Sequence, residues 1–441
     1  MIRNITQELL KWSNNTRRKP LLLQGARQVG KTYILKDFGE SLSSSYFYLN
    51  FEDKQLHSIF LDGAYDTEKI LFRIEAYFNK AINRVDDLII FDEIQDCPQA
   101  ISSLKYFCEK HPEMRIACAG SHIGIERGEY PFPVGKVNFL TLYPMTFDEF
   151  LREANAYLYK AIHDSVTLHV IDDSIHNLLW DQYKKYTIVG GMPEAVVEYL
   201  SEKQDLYKAL SRARAVHSDL LKAYTMDFAK YSGKINAQKI TLVFKNIAKQ
   251  LQKVHDDSTQ RYYFKDVLPG QSKFIQLQGP IEWLVTSGLA RKIHIASKPE
   301  LPLSAYSKDN LFKLFFFDIG LLVTQLNLGM NAVIDQQIGS YKGFIAEVFV
   351  AQQLHSSYGD ELFSWQNNRS EIEFLIENQN KVIPVEVKSG KRTQAKSLAT
   401  YKKKYQPELA IKLSANNLRY ENGHINAPIY LAGLLNSLVI D

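Results

Sequence analysis

Hydrophobic and polar positions change period along the chain, and the changes mark out its elements. Ile2, Ile5, Leu9, Leu10 and Trp12 recur at helical spacing over the first nineteen residues, which end in the basic turn Arg17-Arg18-Lys19. From residue 20 to 145, short apolar runs alternate with helical stretches. Leu21–Gln24, Leu88–Phe91, Met114–Ala119 and Val137–Leu142 predict strands, and this alternation predicts a parallel sheet covered by helices. From Phe147 to about Tyr231 apolar residues fall three and four apart, which predicts helices. Gly190-Gly191-Met192-Pro193 breaks that run as a turn. Further on, Ile240, Val243, Phe244, Ile247 and Leu251 form one face of a helix over 240–254. Helical segments also start at Phe274 and at Ile281, and Arg291–Ile295 with Lys313–Asp318 predict a strand pair. The last region opens with a helix from Gly343, followed by strands at Leu362–Trp365, Glu371–Ile376 and Val382–Lys388.

Length and composition fit this division. The 441 residues are 45% hydrophobic and 23% charged. At roughly 150 residues per domain that is material for about three cores, and it excludes a disordered, collagen-like or disulfide-scaffold chain. The boundaries expected from the pattern are 1–146, 147–232, 233–332 and 333–441. Three helices followed by a strand pair give the third region the outline of a winged helix, a plan used both on DNA and for protein contacts. Lys and Arg number 53 against 49 Asp and Glu, a formal +4 that neither demands nor excludes a nucleic-acid partner. Cys97, Cys108 and Cys118 show no Cys-x-x-Cys spacing, so buried free thiols are expected rather than a disulfide or zinc framework. The N-terminus lacks an apolar core of signal-peptide length, and Leu311–Val323 is short and interrupted by Lys313 and Asp318. No membrane partner and a cytoplasmic location are expected.

The strongest chemical signal follows the first strand. Gly25-Ala26-Arg27-Gln28-Val29-Gly30-Lys31-Thr32 fits G-x-x-x-x-G-K-[ST], with a strand before it and a helix from Tyr33 after it. Glycines let backbone N–H groups curl around phosphate oxygens, and a helix N-terminus favours negative charge. Lys31 is placed to reach the terminal phosphates and Thr32 to offer its hydroxyl to Mg²⁺. The nucleotide-binding set read from this loop is Gly25, Ala26, Arg27, Gln28, Val29, Gly30, Lys31, Thr32 and Tyr33. Asp92-Glu93 closes the strand Leu88–Phe91, where Asp92 would hold Mg²⁺ and Glu93 would polarise the attacking water as general base. Ser121, after the third strand, is the candidate sensor of the terminal phosphate, with an N-cap as its plain alternative. ATP and Mg²⁺ are the cofactors expected.

The strings PLLLQGARQVGKT, LIIFDEIQ, YPMTFDEFL and GGMPEAV together resemble a large family of uncharacterised prokaryotic ATPases of the AAA superfamily. Members carry a C-terminal domain of unknown function resembling PD-(D/E)XK nucleases. The resemblance implies an α/β P-loop NTPase sheet with a helical lid, then the winged-helix-like module and an α/β nuclease-like domain. It implies Mg²⁺-dependent ATP hydrolysis and marks the Gly190-Gly191 segment as the lid hallmark, beside its reading as a plain turn. The family usually has Gly-Arg where Gly135-Lys136 stands here, so Lys136 keeps the charge of an arginine finger without its bidentate fork, and Arg127 is the alternative. A finger of that kind would act between subunits of a homo-oligomer.

In the last region a helix bearing Glu347, a strand, Glu371-Ile372-Glu373-Phe374 and then Val385-Glu386-Val387-Lys388 follow the order of a PD-(D/E)XK core. Alternate strand residues share a face, so Glu386 and Lys388 project together. Glu373 and Glu386 would bind Mg²⁺ with Glu347 as a further ligand, and Lys388 would stabilise the attacking hydroxide or the pentavalent phosphate. Glu373 stands where the superfamily has aspartate, an extra methylene that metal geometry tolerates poorly. From Lys388 to Lys404 seven residues are basic (Lys388, Lys391, Arg392, Lys396, Lys402, Lys403, Lys404) and none is acidic. Such a segment suits the phosphates of DNA or another nucleic acid, or is simply a solvated helix face. Two functions remain open at this point: an ATP-gated enzyme acting on nucleic acid, or a nucleotide-dependent switch whose last domain only binds a partner.

Overall fold

The computed structural model describes residues 1–441 except 43, 62–64, 121–131, 251–260, 271, 340, 368–369, 391–395, 422 and 440–441, and for 229–235 only the backbone. The chain forms two compact units. One holds residues 1–143 with 286–288, the other 144–285 with 289–441.

The first unit is built on a parallel sheet of β1 (Leu21–Gln24), β2 (Tyr46–Asn50), β3 (Leu88–Asp92), β4 (Arg115–Ala119) and β5 (Asn138–Thr141). The spatial order is β2-β3-β4-β1-β5. β1 and β3 are buried at every position, as a strand covered on both faces by helices must be, which is why their sequences are unbroken apolar runs. Phe51, Phe60 and Phe91 pack together in edge and tilted contacts, with Phe51 and Phe91 centroids 5.5 Å apart. Because all five strands run the same way, the loop after β1 and the acids after β3 leave the sheet at one edge, with the end of β4 between them. This is the P-loop NTPase sheet. Cys97 and Cys118 are buried, Cys108 is half-buried, and all three are free thiols.

The second unit begins with helices Phe147–Ala154, Ala156–Leu168, Asp173–Val189, Pro193–Ser201 and Leu206–Gln250. The first is started by a capping box between Thr146 and Glu149. Phe228 and Phe244 have ring centroids 5.5 Å apart. Sixteen residues of straight helix would separate them by about 24 Å, so the helical span is not straight between these two residues. The Gly190-Gly191 turn is buried within this unit. Gly190 adopts φ +65°, and a Cβ on Gly191 would sit 2.1 Å from the carbonyl oxygen of Met145. Asp318 accepts the Gly191 N–H at 2.6 Å through Oδ2 and the Leu321 N–H at 3.1 Å through Oδ1, while Gln352 donates to Oδ2 as well, at 3.0 Å. The glycines are therefore required by close backbone packing.

The strand pair expected as a wing is present but serves another role. β6 (Ala290–Ala296) and β7 (Ser307–Phe316) are antiparallel, and β6 also pairs in parallel with β8 (Leu362–Gln366). The pair thus ends an eight-stranded mixed sheet whose other members are β9 (Glu371–Asn378), β10 (Lys381–Val387), β11 (Ala410–Ser414), β12 (Arg419–Glu421) and β13 (His424–Pro428). The order is β12-β13-β11-β10-β9-β8-β6-β7. A free wing keeps one face in water. The last five residues of β7 are all buried, and that continuous burial is what joins it to the sheet. The two helices expected near Phe274 and Ile281 are one, Phe274–Thr286, with Pro280 inside it. Among the described residues no helix is long and apolar enough to cross a membrane.

Candidate functional site

The loop after β1 has the backbone its sequence calls for. Gly25 has φ +151°, and a Cβ there would lie 2.2 Å from the Leu142 carbonyl oxygen. Gln28 (φ 64°) and Gly30 (φ 94°) are left-handed, and Lys31 opens the helix Lys31–Ser41. Ala26 and Val29 anchor the loop in the core, Arg27 is half-buried, and Gln28 and Tyr33 are exposed. Arg3 braces the loop from outside it, its guanidinium donating to Val29 O at 3.1 Å and Tyr143 O at 2.6 Å. The Lys31 ammonium donates to the carbonyls of Gly25 (3.1 Å) and Ala26 (2.9 Å). Burial lowers its pKa to about 8, against the pull of Glu93 and Asp92.

The Thr32 hydroxyl donates to Asp92 Oδ2 at 2.7 Å, so the phosphate loop and the acid strand meet although they are far apart in sequence. The same oxygen accepts from the Tyr48 hydroxyl at 2.7 Å. Lys36 lies over the Tyr48 ring, 3.7 Å from its centroid. Tyr48 and Lys36 had no place in the motif reading. The alternation Tyr46-Phe47-Tyr48-Leu49-Asn50, with Asn50 in register with Asp92, is the signal that places Tyr48 there. Glu93 leaves the strand in a left-handed conformation (φ 48°), its carboxylate accepting from the Gln95 amide. Its own N–H donates to Asp92 Oδ1 at 3.1 Å. Ser121 and Arg127 lie outside the described residues. Lys136 is paired with Glu109 at 2.9 Å on the surface. The hydroxyl–carboxylate pair of Thr32 and Asp92 fits a hard divalent ion shared with a bound phosphate.

In the second unit Glu347 lies on the helix Tyr341–Tyr358, Glu373 on β9, and Glu386 with Lys388 at the end of β10. The Lys388 ammonium reaches Glu386 Oε1 at 3.0 Å and Glu373 Oε1 at 3.3 Å. Glu373 Oε2 accepts the Val387 N–H at 3.0 Å. Lys313, on β7, was not among the expected site residues. It is enclosed, 3.3 Å from Glu347 Oε2 and ion-paired with Glu371. Burial pushes the pKa values of Glu347 and Glu373 up, while Lys313 and Lys388 act against that. Burial disfavours both ammoniums, yet the surrounding carboxylates hold the two lysine pKa values above their usual range. Among the described residues no three His, Cys, Asp or Glu side chains converge to hold a metal ion. Glu347, Glu373 and Glu386 are thus each ion-paired with a lysine, and among the described residues they do not converge as the metal centre expected from the motif. In the basic segment Tyr401 is buried against Trp365, centroids 5.1 Å apart, so it is a core residue, while Lys403 and Lys404 are exposed.

Residues 17–151 match an AAA domain family. Residues 181–332 and 342–432 match two families described only as domains of unknown function. Comparison with the curated proteins finds no match. Among solved structures the chain is similar to a Walker-type ATPase of Pyrococcus abyssi, at 15% identity and TM-score 0.46, over 73% of this chain and 94% of that one. It is also similar to a Thermotoga maritima RuvB variant, at 13% identity and TM-score 0.32, over 68% and 89%. Its P-loop, its acid-tipped β3 and the match over residues 17–151 make the first unit an AAA-type P-loop nucleotide-binding domain.

Proposed function

We propose that the chain is a Mg²⁺-dependent ATPase that works as a nucleotide-driven switch, with a C-terminal domain that binds a partner without cutting it. The observation that carries the ATPase reading is the 2.7 Å contact between Thr32 and Asp92 beside a buried Lys31. Thr32 and Asp92 hold Mg²⁺, which when bound neutralises charge on the terminal phosphates of ATP. Backbone N–H groups of residues 25–32 bind the phosphates, and Lys31 leaves the Gly25 and Ala26 carbonyls to reach them. Glu93 orients a water and takes its proton as the water attacks the γ-phosphorus and the bond to ADP breaks. Gln95 holds the Glu93 carboxylate until then.

The switch reading is favoured by Lys313 and Lys388, which already pair with the carboxylates that a cleaving site would turn to a metal. The competing reading, ATP-gated cleavage of nucleic acid, draws on the placement of Glu373, Glu386 and Lys388 on neighbouring strands and on the exposed Lys403 and Lys404. Incubation of the full chain with plasmid and Mg²⁺ or Mn²⁺ separates the two. No nicking is expected, whereas nicking that disappears in Lys388→Ala establishes cleavage. Lys31→Ala is expected to abolish ATP binding; retained binding refutes the nucleotide assignment.

A further inference from the structure

We propose that the Lys313 ammonium takes the place of a divalent cation in the C-terminal domain, making its carboxylate cluster a permanently ion-paired site that binds no metal. The inference deepens the non-cleaving reading above and rests on it. Lys313 is 3% exposed and sits among Phe312, Leu314, Phe315 and Phe316 on β7. A lysine in such a place is retained only if its charge is paired, because an unpaired buried ammonium is far too costly. Its partners come from two of the three elements that supply the expected metal ligands. Glu347 belongs to the helix Tyr341–Tyr358, and Glu371 lies two residues before Glu373 on β9. A cation bridging helix and strand carboxylates is what a metal would be; here the bridge is covalently tethered.

The rest of the cluster agrees. Lys388 bridges Glu373 and Glu386 in the same way, so two ammoniums serve four carboxylates. Both Glu373 oxygens are engaged, one by Lys388 and one by the Val387 N–H. Glu386 is fully buried, and its Oε2 has no hydrogen-bond partner. That oxygen is an acceptor of the cluster left to meet an added cation. A dication entering there meets carboxylates already engaged by two ammoniums, and both ammoniums repel it. Removing the Lys313 charge relieves the repulsion and releases Glu347 and Glu371 from the ammonium.

The test titrates the full chain with Mn²⁺ and follows the free-ion EPR signal, in an Asp92→Asn background that removes the nucleotide-site ligand. The parent is expected to take up no ion at millimolar Mn²⁺. Lys313→Met is expected to take up one, and to lose it when Glu386→Gln is added. If Lys313→Met does not fold, Lys313→Met with Glu371→Gln removes the uncompensated charge and is read instead. Uptake by the parent that Glu386→Gln abolishes overturns the proposal, as does a folded Lys313→Met chain that takes up nothing. Plasmid cleavage by a parent that binds no Mn²⁺ refutes the non-cleaving reading and leaves the assignment of Lys313 intact.

Discussion

Lys31 ties nucleotide affinity to pH. Its ammonium is buried in the phosphate loop, and burial lowers its pKa to about 8 despite nearby Glu93 and Asp92. ATP binds the charged form, so the ammonium available to it is lost as pH rises through that value. With a pKa of about 8 the charged fraction falls from about three-quarters at pH 7.5 to about 3% at pH 9.5. Affinity for ATP should therefore weaken about 25-fold across that window, or about 2 kcal/mol. The γ-phosphate of ATP is already ionised there, which isolates the lysine. The assay is a titration of a fluorescent ATP analogue at fixed Mg²⁺, with circular dichroism confirming the fold at each pH. Lys31→Arg stays charged throughout and should give a flat, weaker profile. A wild-type Kd that stays constant from pH 7.5 to 9.5 would falsify the claim that a desolvated Lys31 meets the phosphates.

Other consequences are open to direct measurement. Tyr48→Phe removes one of two hydroxyl donors to Asp92 Oδ2. A hydrogen bond to a charged group is worth about 1.5–3 kcal/mol, and for this half-exposed tyrosine the lower end applies. The Mg²⁺ concentration for half-maximal ATPase should shift about tenfold with ATP binding in EDTA unchanged; an unshifted Mg²⁺ requirement shows that Tyr48 is only packed there. Gln95→Ala should lower kcat and leave KM alone, since Gln95 touches Glu93 and not the loop; a changed KM with constant kcat contradicts that role. Gly191→Ala drives a Cβ to within 2.1 Å of the Met145 carbonyl, so the second unit should lose about 3 kcal/mol or more. Denaturant unfolding reads this, and a midpoint equal to wild type means the turn is not held as described.

The nucleotide site was largely legible because its chemistry is local. A phosphate loop needs its glycines and lysine in consecutive positions, and a buried parallel strand is an unbroken apolar run that cannot disguise the acids at its end. Tyr48 escaped the motif because its role depends on β2 lying beside β3, a pairing that hydrophobic period does not specify. The wing escaped for the same reason: β6 and β7 have the pattern of a pair, and only the register with β8 reveals that the pair extends a larger sheet. Lys313 looked like an interruption in an apolar stretch. Its meaning came from Glu347, which is 34 positions away in sequence and 3.3 Å away in space. The Gly190-Gly191 segment was visible as a special turn, whereas the reason for it, Asp318 and the Met145 backbone closing on the glycines, is long-range.

Single-turnover and steady-state ATP hydrolysis by Glu93→Gln, beside wild type, decides whether the acid-tipped β3 and the phosphate loop form one catalytic site. Wild type should release phosphate in a Mg²⁺-dependent manner, while Glu93→Gln should bind ATP as tightly and retain it unhydrolysed. Turnover by Glu93→Gln at the wild-type rate would contradict the assignment of Glu93 as the base and with it the proposed hydrolytic mechanism.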